Sequence, residues 1–215
     1  MGSARGVLAG LLPRGVVSVE TADDLAADLF PAEEAALGRA VEKRRREFVT
    51  GRACARRALT ELGLPPTAVG SGPRGEPLWP PGVVGSITHC AGYRACAVAR
   101  RAEVVALGID AERNAALDPE VWRAVARPSE RPLREVVANA HLDAVVFSAK
   151  EAVYKAWYPL TRRALDFTDA AVSIDVGRGT FDAELHVSGP VELMHVAGRW
   201  GVGDGVVVTV VAVVV

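Results

Sequence analysis

The chain has 215 residues, half of them hydrophobic and 24% charged, with a formal net charge of −1. That length suits one compact unit or two closely joined halves, with ample apolar material for a core. The near-neutral balance argues against general nucleic-acid or membrane-surface binding, both of which draw on a basic excess.

No N-terminal stretch joins a basic region to a long apolar run, so no signal peptide is expected. Residues 20–34 carry six acids and no base. The segment "TADDLAADLFPAEEAALGRAVEKRRREF" reads as helical pieces interrupted near Pro31. Residues 39–57 then reverse the sign, with eight bases and two acids, and the helix they begin closes at Gly63 before two prolines. Arg45, Arg52 and Arg56 recur at spacings of 7 and 4, a basic stripe beside the apolar face of Phe48, Ala55, Leu59 and Leu62. By itself such a stripe is an exposed helix face or a nucleic-acid patch. Guanidinium forks also bind phosphate bidentately, so a phosphorylated ribose is a further reading.

"GSGPRG", Gly70 to Gly75, is a literal G-x-G-x-x-G, but Pro73 and the following "EPLWPPG" preclude the helix that a dinucleotide site requires. "VVGSITHC" and "RACAVA" read as strands joined by the turn "AGY", and "EVVALGID" as another strand. His89 lies in the first of these beside Ser86 and Thr88. No second histidine sits at metal spacing, which argues against zinc. His89 is therefore either an ordinary core or edge residue, or a hydrogen-bond donor to phosphate.

Strand alternation places Asp110 and Glu112 on one face, about 7 Å apart. Carboxylates that close repel unless protons or a cation intervene, and hard oxygen donors suit Mg²⁺. The alternative is a solvated strand end. "DAVVFSAKEAVYKAWY" is a helix that Pro159 is expected to stop. Glu151 and Lys155 in it form either an exposed i,i+4 pair or part of a site, with Glu151 as a third carboxylate and Lys150 facing phosphate. "GVVVTVVAVVV" is too short to span a bilayer and reads as a buried strand. Cys54, Cys90 and Cys96 show no C-x-x-C spacing and no closed disulfide set, so a reducing, cytoplasmic setting is expected.

"RRREFVTGRACARRAL", "RGEPLWPPGVVGS", "GSITHCAGYRACAVA", "GIDAE" and "FSAKEAVYKAW" occur in this order, with 21 residues from His89 to Asp110 and 41 from Asp110 to Glu151. Over roughly residues 40–160 this resembles the 4'-phosphopantetheinyl transferases, of the two-half type that serves siderophore, non-ribosomal peptide and polyketide assembly lines. The resemblance implies an α+β fold of two similar α/β halves related by a pseudo-two-fold, here residues 1–103 and 104–215, with the active site in the cleft between them. It implies transfer of phosphopantetheine from coenzyme A to a serine of acyl or peptidyl carrier proteins, with Mg²⁺, or Mn²⁺ in its place, and a monomeric enzyme. Asp110, Glu112 and Glu151 match its metal-binding acids. Lys150, Glu151 and Lys155 match its catalytic set, and His89, with Ser86 and Thr88 in the same strand, its phosphate contacts. Arg44 and Arg52 match basic residues near the 3'-phosphate, with Arg45 and Arg56 as alternatives. One departure is plain: where many members carry a lysine, this chain has Ser71 and Glu76, leaving Arg74 as the cation of that loop. The rival from another class is a non-catalytic coenzyme A or carrier-binding module, which would not need three acids beside Lys150.

Overall fold

Period-two alternation and β-branched runs build two antiparallel sheets, each covered by one long helix. The computed structural model describes residues 6–215; residues 1–5, on which the expected start of the first half falls, lie outside the described residues.

The first part runs α1 (Val7–Leu11), β1 (Val17–Thr21), α2 (Pro31–Leu37), α3 (Glu42–Glu61), the short β2 (Gly70–Ser71) and β3 (Pro77–Leu78), β4 (Val83–Cys90) and β5 (Tyr93–Arg100). The second runs β6 (Val104–Arg113), α4 (Pro119–Val125), β7 (Val136–Val137), β8 (Ala140–His141), α5 (Leu142–Thr161), β9 (Ala170–Asp175), β10 (Thr180–Leu185), α6 (Val191–Met194), β11 (His195–Gly203) and β12 (Val206–Val214). The principal sheets have the orders β1-β5-β4 and β6-β12-β11-β10-β9.

Helices α3 and α5 are each 20 residues long and lie on the first and second sheet respectively. Cys54, Ala58 and Leu59 of α3 pack with Cys96 and Val98 of β5. Ala149, Val153 and Trp157 of α5 pack with Phe181, Val207 and Val211. A third cluster joins Leu8 and Val84 to Leu107, Ile109 and Val208, so apolar packing is continuous across the two sheets. Fully buried side chains such as Leu59 and Phe181 each contribute about 2 kcal/mol of transfer energy. The three cysteines are free, with Cys54 and Cys96 buried. Among the described residues no helix is long and apolar enough to cross a membrane.

Two expectations change. Residues 22–30 are not helical; α2 starts at Pro31, whose missing N–H costs nothing at a helix's first position. The buried Glu33 reaches back to accept the Phe30 N–H at 3.0 Å and so caps the start. Nor does Pro159 stop α5, which runs on to Thr161. In the last turn a proline forfeits a single hydrogen bond, and the chain leaves the helix only at Arg162, in left-handed backbone with φ of 56°.

Candidate active site

β4 and β6 run side by side but belong to different sheets. Side chains replace the missing backbone ladder. Ser86 Oγ accepts the Ile109 N–H at 3.1 Å, and Thr88 Oγ1 accepts the Ala111 N–H at 3.0 Å. Alternate residues of one strand therefore serve alternate residues of the other, as the shared period of two allows. Thr88 also donates to Asp110 Oδ1 at 3.2 Å. Ser86 and Thr88 are buried and engaged in this seam; Thr88 gives its one hydroxyl proton to Asp110 rather than to a phosphate, whereas Ser86 also lines the cavity.

Helix α5 comes down directly on β6. A Cβ added at Gly108 would fall inside the Ala152 carbonyl, so only glycine permits this approach. Ala149, Ala152 and Ala156 complete the close face. The crossing places Lys155 Nζ 2.7 Å from Asp110 Oδ1 and 3.2 Å from the Ile109 carbonyl. Asp110 is 4% exposed, and its second oxygen, Oδ2, is buried without a hydrogen-bond partner. An acceptor stripped of water in this way is costly to leave empty.

Glu112 and Glu151 complete an acidic cluster. Burial, and then the charge of Asp110, push the Glu112 carboxyl up to about 7, with Lys155 opposing and Glu151 adding to the rise. Burial and Asp110 raise Glu151 as well. The three acids thus share one field, but no group of three His, Cys, Asp or Glu among the described residues is arranged to hold a metal ion as it stands. Lys155 supplies the positive charge instead.

A cavity of about 170 Å³ opens beside them, lined by the Arg74–Pro77 loop, by Gly85, Ser86 and Ile87 of β4, and by Glu151, Tyr154, Lys155 and Tyr158 of α5. A second, of about 240 Å³, shares Arg74, Glu151 and Tyr154 and extends along residues 164–167. Gly85 is required here, because a Cβ would lie 2.7 Å from the Trp79 ring and 2.9 Å from the Ala97 carbonyl.

His89 Nε2 lies 3.0 Å from Arg44 Nη1. A guanidinium only donates, so Nε2 accepts and the ring proton sits on Nδ1, facing Glu47 Oε2 at 3.8 Å. Burial holds the imidazole below its ordinary value, which keeps it neutral. Nε2 is therefore taken by Arg44, and Nδ1–H is the donor that His89 has for a ligand.

Lys150 is a correction. It is 3% exposed and donates to Val125 O at 2.9 Å, Glu130 Oε2 at 2.7 Å and Phe167 O at 2.9 Å. An ammonium has three protons and all are used, so none is left for a phosphate. One residue along a helix is a rotation of about 100°, enough to turn Lys150 inward while Glu151 faces the cleft. The arginine stripe divides likewise. Arg45 pairs with Glu34 at the surface. Arg56 pairs at 2.8 Å with the fully buried Glu33. Arg52 is 5% exposed, lies over the Phe48 ring and donates to Gly70 O and Ser71 Oγ; burial lowers its value to about 10. Arg52 and Arg56 are thus engaged by the protein rather than free for the expected phosphate contacts, whereas Arg44, Arg45 and Arg74 are exposed.

Sequence reasoning missed Glu130, Tyr154 and Tyr158. The tyrosines carried a usable signal, lying three and seven residues beyond Glu151 on its helical face.

A family model described as the 4'-phosphopantetheinyl transferase N-terminal domain matches residues 32–99, and one described as the 4'-phosphopantetheinyl transferase superfamily matches residues 106–197. The 4'-phosphopantetheinyl transferase Svp of Streptomyces mobaraensis is 49% identical over 219 residues, covering 96% of this chain and 89% of that protein. Npt of Nocardia iowensis, named for the same activity, is 48% identical, covering 94% of this chain and 97% of its own. PptT of Mycobacterium tuberculosis, also so named, is 42% identical over 94% of this chain and 98% of its own.

Proposed function

The chain belongs to the 4'-phosphopantetheinyl transferases, and from that premise we propose that its cleft carries the phosphopantetheine group of coenzyme A to a serine hydroxyl of acyl or peptidyl carrier proteins, releasing adenosine 3',5'-bisphosphate. The observation that supports this most is the meeting of Asp110, Glu112, Glu151 and Lys155 beside the cavity. We further propose that two like halves divide at residues 103 and 104, between β5 and β6, and that the enzyme works as a cytoplasmic monomer.

The donor set fits a hard divalent cation. Asp110 Oδ2 is an unpartnered buried carboxylate oxygen, and burial, followed by the charge of Asp110, raises Glu112 and Glu151. Mg²⁺ is ordinarily held by one or two carboxylates, with waters and substrate phosphates completing the shell, so a ready-made cage of three is not required. Asp110, Glu112 and Glu151 would hold the ion, and when bound it would neutralise charge on the diphosphate.

The residues themselves do the rest. Lys155 stands beside Asp110 with its side chain 27% exposed, and its long contact to Thr88 Oγ1, at 3.4 Å, is the one that gives way to a phosphate oxygen. Glu151, half-buried at the cavity wall, accepts the proton of the attacking serine, directly or through water. Burial favours a carboxylate basic enough for that task, and its raised value has that sign. Arg44 and His89 face one another at the mouth of the basic helix, where a terminal phosphate carries its charge. The serine oxygen attacks the phosphorus bound to pantetheine and the bond to the bridging oxygen of the diphosphate breaks, with the nucleotide leaving on that oxygen.

The test is mass spectrometry of an apo carrier protein incubated with coenzyme A and Mg²⁺, with a chelator control. A gain of one phosphopantetheine group that the chelator prevents is expected; no gain overturns the function, and a gain that survives chelation overturns the metal.

A further inference from the structure

Glu76 stands where a lysine would have been unsurprising, in the wall of a cleft proposed to hold a diphosphate. An unpaired acid there would repel its ligand. It is not unpaired: Glu76 Oε1 lies 2.6 Å from Arg162 Nη1, and its side chain is 9% exposed. Among the described residues this is the one ion pair that joins residues 6–103 to residues 104–215.

The other oxygen works within the loop. Glu76 Oε2 accepts the Arg74 N–H at 3.0 Å, and the Glu76 carbonyl accepts the Gly72 N–H at 2.8 Å. One carboxylate therefore fixes the turn that carries Arg74 and ties that turn to the end of α5. Arg162 meets it from left-handed backbone, rare for a side-chain-bearing residue. The guanidinium carbons of Arg74 and Arg162 each lie 5.8 Å from the Tyr158 ring centroid, within cation–π range. Arg74, Glu76 and Tyr158 all line the first cavity, and Arg74 the second as well.

We propose that Glu76 and Arg162 are positioning residues for coenzyme A: a clasp across the cleft that holds Arg74 over Tyr158 and cancels the acid's charge, leaving Arg74 as the net cation facing the ligand. This deepens the transferase reading and rests on it. Arg74, Glu76 and Arg162 together carry one net positive charge at the cleft.

The test measures coenzyme A affinity by calorimetry on the full chain and on Glu76→Gln, Arg162→Gln, the double variant and Arg162→Lys, with transfer kinetics alongside. Arg162→Gln is expected to weaken coenzyme A about fivefold, the order of one partly buried ion pair, with the loss falling on KM more than on kcat. The double variant should lose no more than the weaker single, since paired residues do not add. Arg162→Lys, which keeps the cation, should retain most of the affinity. Variants that bind like the unaltered chain, losses that multiply in the double, or a loss confined to kcat would overturn the clasp. If the unaltered chain binds coenzyme A yet transfers nothing, the transferase reading falls while the affinities still judge the clasp. If it transfers while the variants bind normally, the clasp falls alone; if it binds no coenzyme A, both do.

Discussion

Lys155 Nζ stands 2.7 Å from Asp110 Oδ1 while Asp110 Oδ2 has no partner at all. A carboxylate satisfied on one side only, at the foot of a cleft, is poised for a second positive partner. Asp110→Asn keeps the shape and removes the charge, and Lys155→Met removes the ammonium that is 27% exposed at its side chain. Each is expected to lower kcat/KM for carrier modification by roughly 10²- to 10³-fold, the usual loss for one electrostatic contributor. Steady-state transfer assays, with a thermal melt to show that the variants fold, check this. Near-full activity in either removes that residue from the site.

Lys150 predicts the opposite pattern. Its ammonium meets the buried Glu130, which also accepts the Arg127 N–H at 2.7 Å and the Val172 N–H at 2.7 Å. Burial pulls Lys150 below its ordinary value, and the bond and charge of Glu130 hold it up. Lys150→Met leaves Glu130 as an uncompensated buried charge, at a cost of about 3–5 kcal/mol. Urea unfolding should show that loss, while transfer per folded molecule is largely kept. Intact stability with abolished transfer would restore a phosphate role for Lys150.

These two lysines mark how far the sequence was legible. The strands of His89 and Asp110, the two long helices and the gathering of Asp110, Glu112, Glu151 and Lys155 followed from alternation, spacing and the family resemblance. Which way Lys150 turns did not, because its partner Glu130 lies 20 residues away in a segment with no regular pattern. Arg52 and Arg56 fit a basic stripe by spacing, yet Glu33 and the Gly70–Ser71 turn claim them. Pairing between distant segments is a property of tertiary packing, and periodicity carries no signal for it.

Gly108 sets the distance between Asp110 and α5. In Gly108→Ala the added carbon meets the Ala152 carbonyl and the Ala156 nitrogen, which are backbone and cannot rotate aside. The helix must lift, carrying Glu151 and Lys155 away from β6. The expected loss is about 3 kcal/mol or more of stability, together with a fall in kcat. Gly10→Ala serves as the control, since nothing lies within 4 Å of its added carbon. Equal melting temperatures for the two variants would mean that the contact is not limiting.

Arg44, rather than Arg52, is the clean probe of the 3'-phosphate. Arg52 is held by Gly70 and Ser71, so its removal perturbs the fold, whereas Arg44 makes one exposed contact, to His89. Arg44→Ala is expected to raise KM for coenzyme A about tenfold, in the range of one charge-assisted hydrogen bond. With 3'-dephospho-coenzyme A the substitution should make little difference. Equal losses on both substrates would place the arginine elsewhere.

Glu112 gives the pH dependence. Its carboxyl is pushed up to about 7 from an ordinary 4.5, so between those values the folded chain holds a proton that the unfolded chain has released. The contribution to stability is complete below the ordinary value and is lost as pH rises through about 7. In chelator, the urea midpoint should therefore fall between pH 4.5 and about 7 and level off above that. Glu112→Gln, neutral throughout, should show a shallower fall, with the residue of the slope left to Glu151, which is shifted the same way. Added Mg²⁺ should flatten the slope of the unaltered chain by favouring the ionised acids, and should do less for the variant. Parallel slopes in the two proteins would mean that Glu112 ionises freely in the fold, and the crowding of acids around Asp110 would lose its strongest sign.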